Sequence, residues 1–164
     1  MKNKKIQYIT RAALVAALYV ALTHLSNILG IASGPIQIRF SEALCILPFF
    51  MPSAIPGLFV GCIIANLTTG AVIWDVIFGS LATLVGAFFA TKLKNKWLIP
   101  IPTVLANTVV VPLVILFCYT DKSLWSVSTY LFGVIGVFAG EILSAYILGI
   151  VLFSALNKHK SIFN

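Results

Sequence analysis

The chain holds four carboxylates, Glu42, Asp75, Asp121 and Glu141, and any chemistry it performs has to be arranged around them. Glu141 precedes Lys158 by seventeen residues, about 25 Å along a helix that rises ~1.5 Å per residue. That spacing predicts a carboxylate inside an apolar run, where it is costly unless it faces a cavity or a partner. Glu42 follows Arg39 by three residues, which permits an ion pair near a helix start. Asp75 follows Trp74, a pairing that suits an interfacial aromatic anchor beside a helix-start carboxylate. Asp121 sits in the polar stretch Tyr119–Ser126 and reads as a solvated loop charge. Taken together, Glu42, Asp75 and Glu141 on one outer half of a small bundle predict a pocket. Carboxylates in a water-poor pocket favour a cationic ligand, or one rich in N–H donors.

The amides Asn66 and Asn107 fall within apolar runs and serve either such a pocket or hydrogen bonding between helices. His24 reads as a packing residue near a helix end. The substrate-binding candidates are therefore Glu141, Glu42, Asp75, Asn107, Arg39 and Trp74. No catalytic residues, metal ligands or cofactor are expected. The sequence contains no G-x-x-x-x-G-K-[ST], G-x-S-x-G or H-E-x-x-H pattern. Cys45, Cys62 and Cys118 are irregularly spaced in apolar sequence, without a C-x-x-C pair or a Cys/His cluster. A membrane enzyme would need a denser polar constellation, so binding and translocation of a small solute fits better.

The elements that must position these residues are set by composition. Of 164 residues, 60% are hydrophobic and only 9% charged, with a mean hydropathy of +1.07. Soluble domains carry about 25% charged residues, so this chain reads as an all-α integral membrane protein, one transmembrane domain over residues 1–164. A bilayer-crossing helix needs about 20 apolar residues. Spans are predicted at about 8–29, 41–50, 55–67, 74–91, 97–118 and 129–156. The second and third form a short pair split by the Pro52–Pro56 turn, and Pro100, Pro102 and Pro112 predict bends in the fifth. With six spans and both termini in the cytoplasm, all but Arg39 and Lys122 of the eleven lysines and arginines fall inside, as the positive-inside rule requires. The basic residues form no stripe interleaved with aromatics, so nucleic acid is not an expected partner. Ala13, Ala17 and Ala21 line one stripe of the first span, with Ala12 and Ala16 alongside; such a face lets a second helix approach closely, within this chain or from a partner. Gly133, Gly136, Gly140 and Ser144 make a similar face on the sixth.

Four blocks carry a resemblance to a known family. They are Lys4-Lys5-Ile6-Gln7-Tyr8-Ile9-Thr10-Arg11 with the alanine stripe that follows it, Gly34-Pro35-Ile36-Gln37-Ile38-Arg39-Phe40-Ser41-Glu42-Ala43-Leu44, Ile55-Pro56-Gly57-Leu58-Phe59-Val60-Gly61-Cys62, and Phe78-Gly79-Ser80-Leu81-Ala82-Thr83-Leu84. In this order they resemble the queuosine-precursor transporter (QueT) family, the substrate-binding S components of energy-coupling factor transporters. The resemblance implies a six-helix bundle that binds a queuosine precursor from outside, either 7-aminomethyl-7-deazaguanine or the base queuine. It also implies a transmembrane coupling subunit and two cytoplasmic ATPases as partners, with the loop around Gly34–Phe40 capping the site. The residues leave two other readings open. One is an S component for another small vitamin-like solute. The other is a stand-alone ion-coupled carrier that uses Glu141 as a relay.

Overall fold

The protein is described by a computed structural model covering residues 3–32, 34 and 36–159. Lys2 and Lys160 of the predicted charge pattern, and Ser33 and Pro35 of the loop predicted to face outwards, lie outside the described residues. The chain is an all-α integral membrane bundle. Its helices are α1 (Lys4–Ile28), α2 (Phe40–Phe49), α3 (Ala54–Thr68), α4 (Ile73–Ala90), α5 (Ile101–Tyr119) and α6 (Val127–Asn157).

Four of these, α1, α4, α5 and α6, are long and apolar enough to cross a membrane. α2 and α3 have 10 and 15 residues, so the structure shows fewer full-length spans than the six expected. Proline is the physical reason. Pro48 lies inside α2, and Pro52 and Pro56 bracket the turn into α3, so no continuous α-helix can form here. α2 is instead a 3₁₀ helix, and every residue from Ser41 to Pro48 is buried. It packs against α1, α3, α4 and α6, which makes it the axis around which the longer helices stand. At ~2.0 Å per residue it reaches about 20 Å, further than an α-helix of the same length.

Element ends follow local chemistry. Asn3 caps α1 by accepting from the Lys5 amide at 3.1 Å. α1 and α3 both end in glycines with left-handed φ, Gly30 at 71° and Gly70 at 79°. Around Gly30 the Gly30 amide donates to Asn27 O and the Ile31 amide to Ser26 O; around Gly70 the pairs are Gly70 to Leu67 O and Ala71 to Asn66 O. This is the Schellman pattern that satisfies the last carbonyls of a helix and turns the chain sharply. Pro100 delays the start of α5 to Ile101, four residues later than the apolar run at 97 predicts. Beyond Pro112 the helix widens to π geometry over Ile115–Tyr119, and α6 does the same over Ile142–Leu148, immediately after Glu141.

Small residues set the helix spacing. A methyl group at Gly57 would stand 2.6 Å from Ala12 O, and one at Gly61 2.8 Å from Tyr19 Cβ. Ala12 and Ala16 are thus the α1 face against α3, whereas Ala13, Ala17 and Ala21 are exposed. The two alanine rows of α1 have different neighbours. On α6, Gly136 and Ser144 are buried, and Gly133 faces Pro112 of α5. That face is internal packing.

Candidate functional site

Glu42 on α2, Asn107 on α5 and Glu141 on α6 meet at the centre of the bundle, exposed by 3%, 4% and 7%. The Asn107 amide nitrogen donates to Glu141 Oε1 at 2.9 Å and to Glu42 Oε2 at 3.3 Å. The Tyr19 hydroxyl, from α1, donates to the other Glu42 oxygen. Both Glu42 oxygens are therefore occupied by neutral donors. The Arg39–Glu42 ion pair that the three-residue spacing allowed does not form, and among the described residues Arg39 has no carboxylate within ion-pair distance. Among the described residues Glu141 Oε2 is buried without any partner. Buried polar atoms are satisfied in the great majority of cases, so an orphaned carboxylate oxygen marks a place where a donor belongs.

Asp75 forms a second centre nearer the bundle end. Its Oδ2 accepts from the Tyr119 hydroxyl at 3.3 Å, and Tyr119 in turn accepts from the Val72 amide at 3.0 Å. Asn66 donates to the Asp75 carbonyl at 3.4 Å. Asp75 Oδ1 is buried and unpartnered. Gly79, one turn on, leaves the space beside it open: a methyl there would stand 3.2 Å from Asp75 Oδ1.

These two centres line two adjacent spaces. An outer cavity of ≈ 480 Å³ is bounded by Thr23, Asn27, Arg39, Asn66, Asp75 and Tyr119, among others. Its walls come from the ends of α1, α3 and α5 and the start of α4, the end of the bundle opposite the Lys92–Lys96 turn. Below it, an inner chamber of ≈ 20 Å³ is bounded by Tyr19, Glu42, Cys62, Asn107 and Glu141. The outer space is in the range of small-molecule pockets, and the inner one has room for about one water. Gln37, Arg39 and Val111 line both, so Arg39 sits between the two spaces. The segment that carries it is folded back by the Ile38 amide donating to Ile31 O and the Phe40 amide to Ser26 Oγ, at 2.8 and 2.9 Å. Gly140 lets this segment lie directly on α6, since any Cβ there would collide with Gln37 O.

Of the six sequence candidates, the structure brings five around these spaces. Trp74 is the exception. It is 53% exposed, stacks on Phe78 with ring centroids 6.0 Å apart, and lines an outer groove on the far side of α4. His24 bonds Thr68 at 2.9 Å, a contact between α1 and α3. Asp121 caps its own turn, accepting from the Ser123 amide and hydroxyl at 2.9 and 2.8 Å. Those two donors hold its carboxyl below the usual range. Tyr19, Tyr119 and Gln37 were missed by sequence reasoning. Tyr19 had a signal, because a tyrosine inside an apolar helix needs a partner for its hydroxyl.

An all-α membrane bundle with a polar, carboxylate-rich cavity open at one end is the architecture of a solute-binding membrane protein. Comparison with known families places it more closely: a family model described as the QueT transporter matches residues 9–158, and the chain belongs to that family, one of transporters rather than enzymes. A curated relative, the queuosine precursor transporter QueT of Lactococcus lactis subsp. cremoris, is 44% identical over 85 residues. That match covers 52% of this chain and 50% of the relative, so the chain spans about half the length of the curated relative it matches. No solved structure matches significantly.

Replacing Asn107 by Leu keeps a side chain of similar size but removes the donor shared by Glu42 and Glu141. Leaving buried acceptors unsatisfied costs about 1–3 kcal/mol, and about 2–4 °C of Tm accompany each kcal/mol in a chain of this length. Asn107→Leu in detergent should melt several degrees lower than the parent. An unchanged Tm would remove Asn107 from its bridging role.

Proposed function

We propose that this chain is the substrate-binding S component of an energy-coupling factor importer and that it takes a queuosine precursor, 7-aminomethyl-7-deazaguanine or queuine, from outside the cell. Under this reading residues 1–164 form one transmembrane domain of six spans in the bacterial plasma membrane, with both termini cytoplasmic. α2 and α3 count as a short pair, reaching about 20 Å and 22 Å at their respective rises and turning back between Phe49 and Ala54. The lysine distribution supports this orientation. So does the cavity, whose walls are drawn from helix ends and from the 32–39 segment that six spans put outside.

The observation that carries the substrate reading is the pair of buried, unpartnered carboxylate oxygens, Glu141 Oε2 and Asp75 Oδ1. Three carboxylates and one guanidinium line these spaces, so the charge is unbalanced towards negative and two buried carboxylate oxygens still lack a donor. A deazaguanine supplies ring and exocyclic N–H donors along one edge. An aminomethyl substituent adds a cation. Asp75 would accept from these groups in the outer cavity. Glu141, Glu42 and Asn107 would accept from or orient them once the inner chamber widens to admit the base's edge, with Arg39 facing the base's carbonyl oxygen. Trp74 lies off the cavity and is left out of this set. The name of the Lactococcus relative supports the same substrate class. Energy would come from partners, a transmembrane coupling subunit and two cytoplasmic ATPases, since the sequence holds no phosphate-binding loop. The exposed row Ala13, Ala17 and Ala21 is the face we assign to the coupling subunit.

Two measurements test this. Glu141→Gln keeps the shape but replaces an acceptor oxygen with a donor. A charge-assisted hydrogen bond contributes roughly 1.5–3 kcal/mol, so affinity for 7-aminomethyl-7-deazaguanine should fall about 10- to 150-fold by calorimetry. Glu42→Gln or Asp75→Asn should show a comparable loss, and Asp121→Asn should bind normally. Parent-like binding by all three pocket variants would sink the carboxylate-lined site. Separately, Ala17→Trp should leave binding by the isolated protein intact while blocking assembly with the coupling subunit and uptake by cells. A stand-alone carrier working through Glu141 would instead keep transporting in that variant.

A further inference from the structure

The seam between α4 and α5 carries a feature that solute binding does not use. On the side away from the polar cavity the two helices diverge into a groove of ≈ 740 Å³, floored by Ala82 and Ala106 and walled by Val85, Phe89, Leu105 and Val109. Its walls are exposed: Val85 by 47%, Phe89 by 54%, Leu105 by 57% and Val109 by 54%. Lys92 is the one charged residue among its lining, and it stands at one end. From Phe78 to Lys92 the groove runs fourteen residues, about 21 Å at ~1.5 Å per residue. That exceeds the ~15 Å depth of one leaflet's hydrocarbon, half of the ~30 Å core. A second groove of ≈ 460 Å³, bounded by Trp74, Phe117 and Cys118, continues it towards the opposite surface and shares Phe78 and Val110.

The charge at the end of the groove is not isolated. Lys94 and Lys96 follow Lys92 in the same turn, and no carboxylate lies between Asp75 and Asp121. Lys92 Nζ lies 5.2 Å from the Phe88 ring centroid, and Lys96 Nζ 4.8 Å from that of Trp97. The ammonium groups are thus held at the level of interfacial aromatics, where lysines reach out of the hydrocarbon to the headgroups. An apolar trough of leaflet length, ending in a cluster of cations without counter-charges among the described residues, is complementary to a molecule with an acyl chain and an anionic head.

We propose that the α4–α5 groove is a binding site for one anionic phospholipid, its acyl chain along Val85, Phe89, Leu105 and Val109 and its phosphodiester at Lys92. Zwitterionic lipids fill the trough with their chains too, but the ammonium group of their head offsets the phosphodiester, so they gain less at the lysines. The assignment to the inner leaflet rests on the orientation proposed above. The lipid would also cover the outward side of a seam whose two helices are in direct contact. There Gly86 is pressed on Thr103: a methyl at Gly86 would stand 2.7 Å from Thr103 Cα.

Native mass spectrometry of the purified full chain, offered equal amounts of phosphatidylglycerol and phosphatidylcholine with the same acyl chains, tests this. The parent should retain one phosphatidylglycerol in preference to phosphatidylcholine. Lys92→Gln should lower that preference about five-fold, the effect of one lysine near a charged surface. Ala106→Trp, which fills the floor of the groove, should abolish retention of both lipids. Should Ala106→Trp fail to fold, the Lys92→Gln comparison decides alone. Equal retention of the two lipids by the parent, or an unchanged preference in Lys92→Gln, would overturn the site. The leaflet is tested apart from it, by the reaction of Asn95→Cys with an impermeant thiol reagent on whole cells. Protection supports the inner leaflet. Labelling would overturn the leaflet and the proposed orientation while leaving the detergent result to stand or fall separately.

Discussion

One amide nitrogen holds two carboxylates together in the middle of an apolar bundle. Asn107 Nδ2 donates to both Glu42 and Glu141, and these three residues come from α5, α2 and α6. In a low-dielectric interior an unsatisfied polar group is far costlier than in water. The helices that carry the three side chains are therefore fixed relative to one another by that requirement as well as by packing. Tyr19 extends the constraint to α1. Four of the six helices are thereby joined through a single polar cluster, and the cavity is the space left around it. The π-helical stretch that begins just after Glu141 belongs to the same arrangement, since π-bulges are frequent at functional sites.

The short central helix follows from the same constraint. Glu42 has to meet side chains from α1, α5 and α6, which demands an element surrounded on all sides. A long helix with one apolar stripe would not serve. α2 is buried along nearly its whole length, and its proline prevents regular α-geometry, so a 3₁₀ rise carries it through the bundle centre. The close contacts of Gly57 and Gly61 with α1 then bring Tyr19 within reach of Glu42. Small residues here have a positional consequence: they set how near the donor comes to the acceptor.

Much of this was legible in the sequence. The helix ends fell close to the apolar runs because proline, glycine and lysine clusters punctuate them, and Glu141 was placed within the membrane by simple counting from Lys158. That Glu42, Asp75 and Glu141 line neighbouring spaces was expected from their positions at or within the runs, whereas Asn107 was left open between a pocket and a bond between helices. Other features were not legible, for physical reasons. Spacing alone allowed Arg39 to pair with Glu42, but the carboxylate is taken by donors from α1 and α5 that are distant in sequence. Trp74 sits next to Asp75, yet consecutive helical residues point about 100° apart, so one faces the cavity and the other the outer groove. Tyr19 was hidden inside an alanine row whose two sides turn out to have different neighbours. The two short helices were expected as a pair split by the Pro52–Pro56 turn, but the 3₁₀ geometry and complete burial of α2 carried no signal in the sequence.

The central claim is that the orphaned carboxylate oxygens are completed by a small, donor-rich, cationic base. The most direct measurement is identification, by mass spectrometry of the released small molecules, of what co-purifies with the protein from cells supplied with queuosine precursors. The account predicts a 7-deazaguanine bearing an amine, at up to one molecule per chain and lost in Glu141→Gln. Recovery of an anionic or donor-poor molecule in its place, or equal recovery from Glu141→Gln, would contradict it.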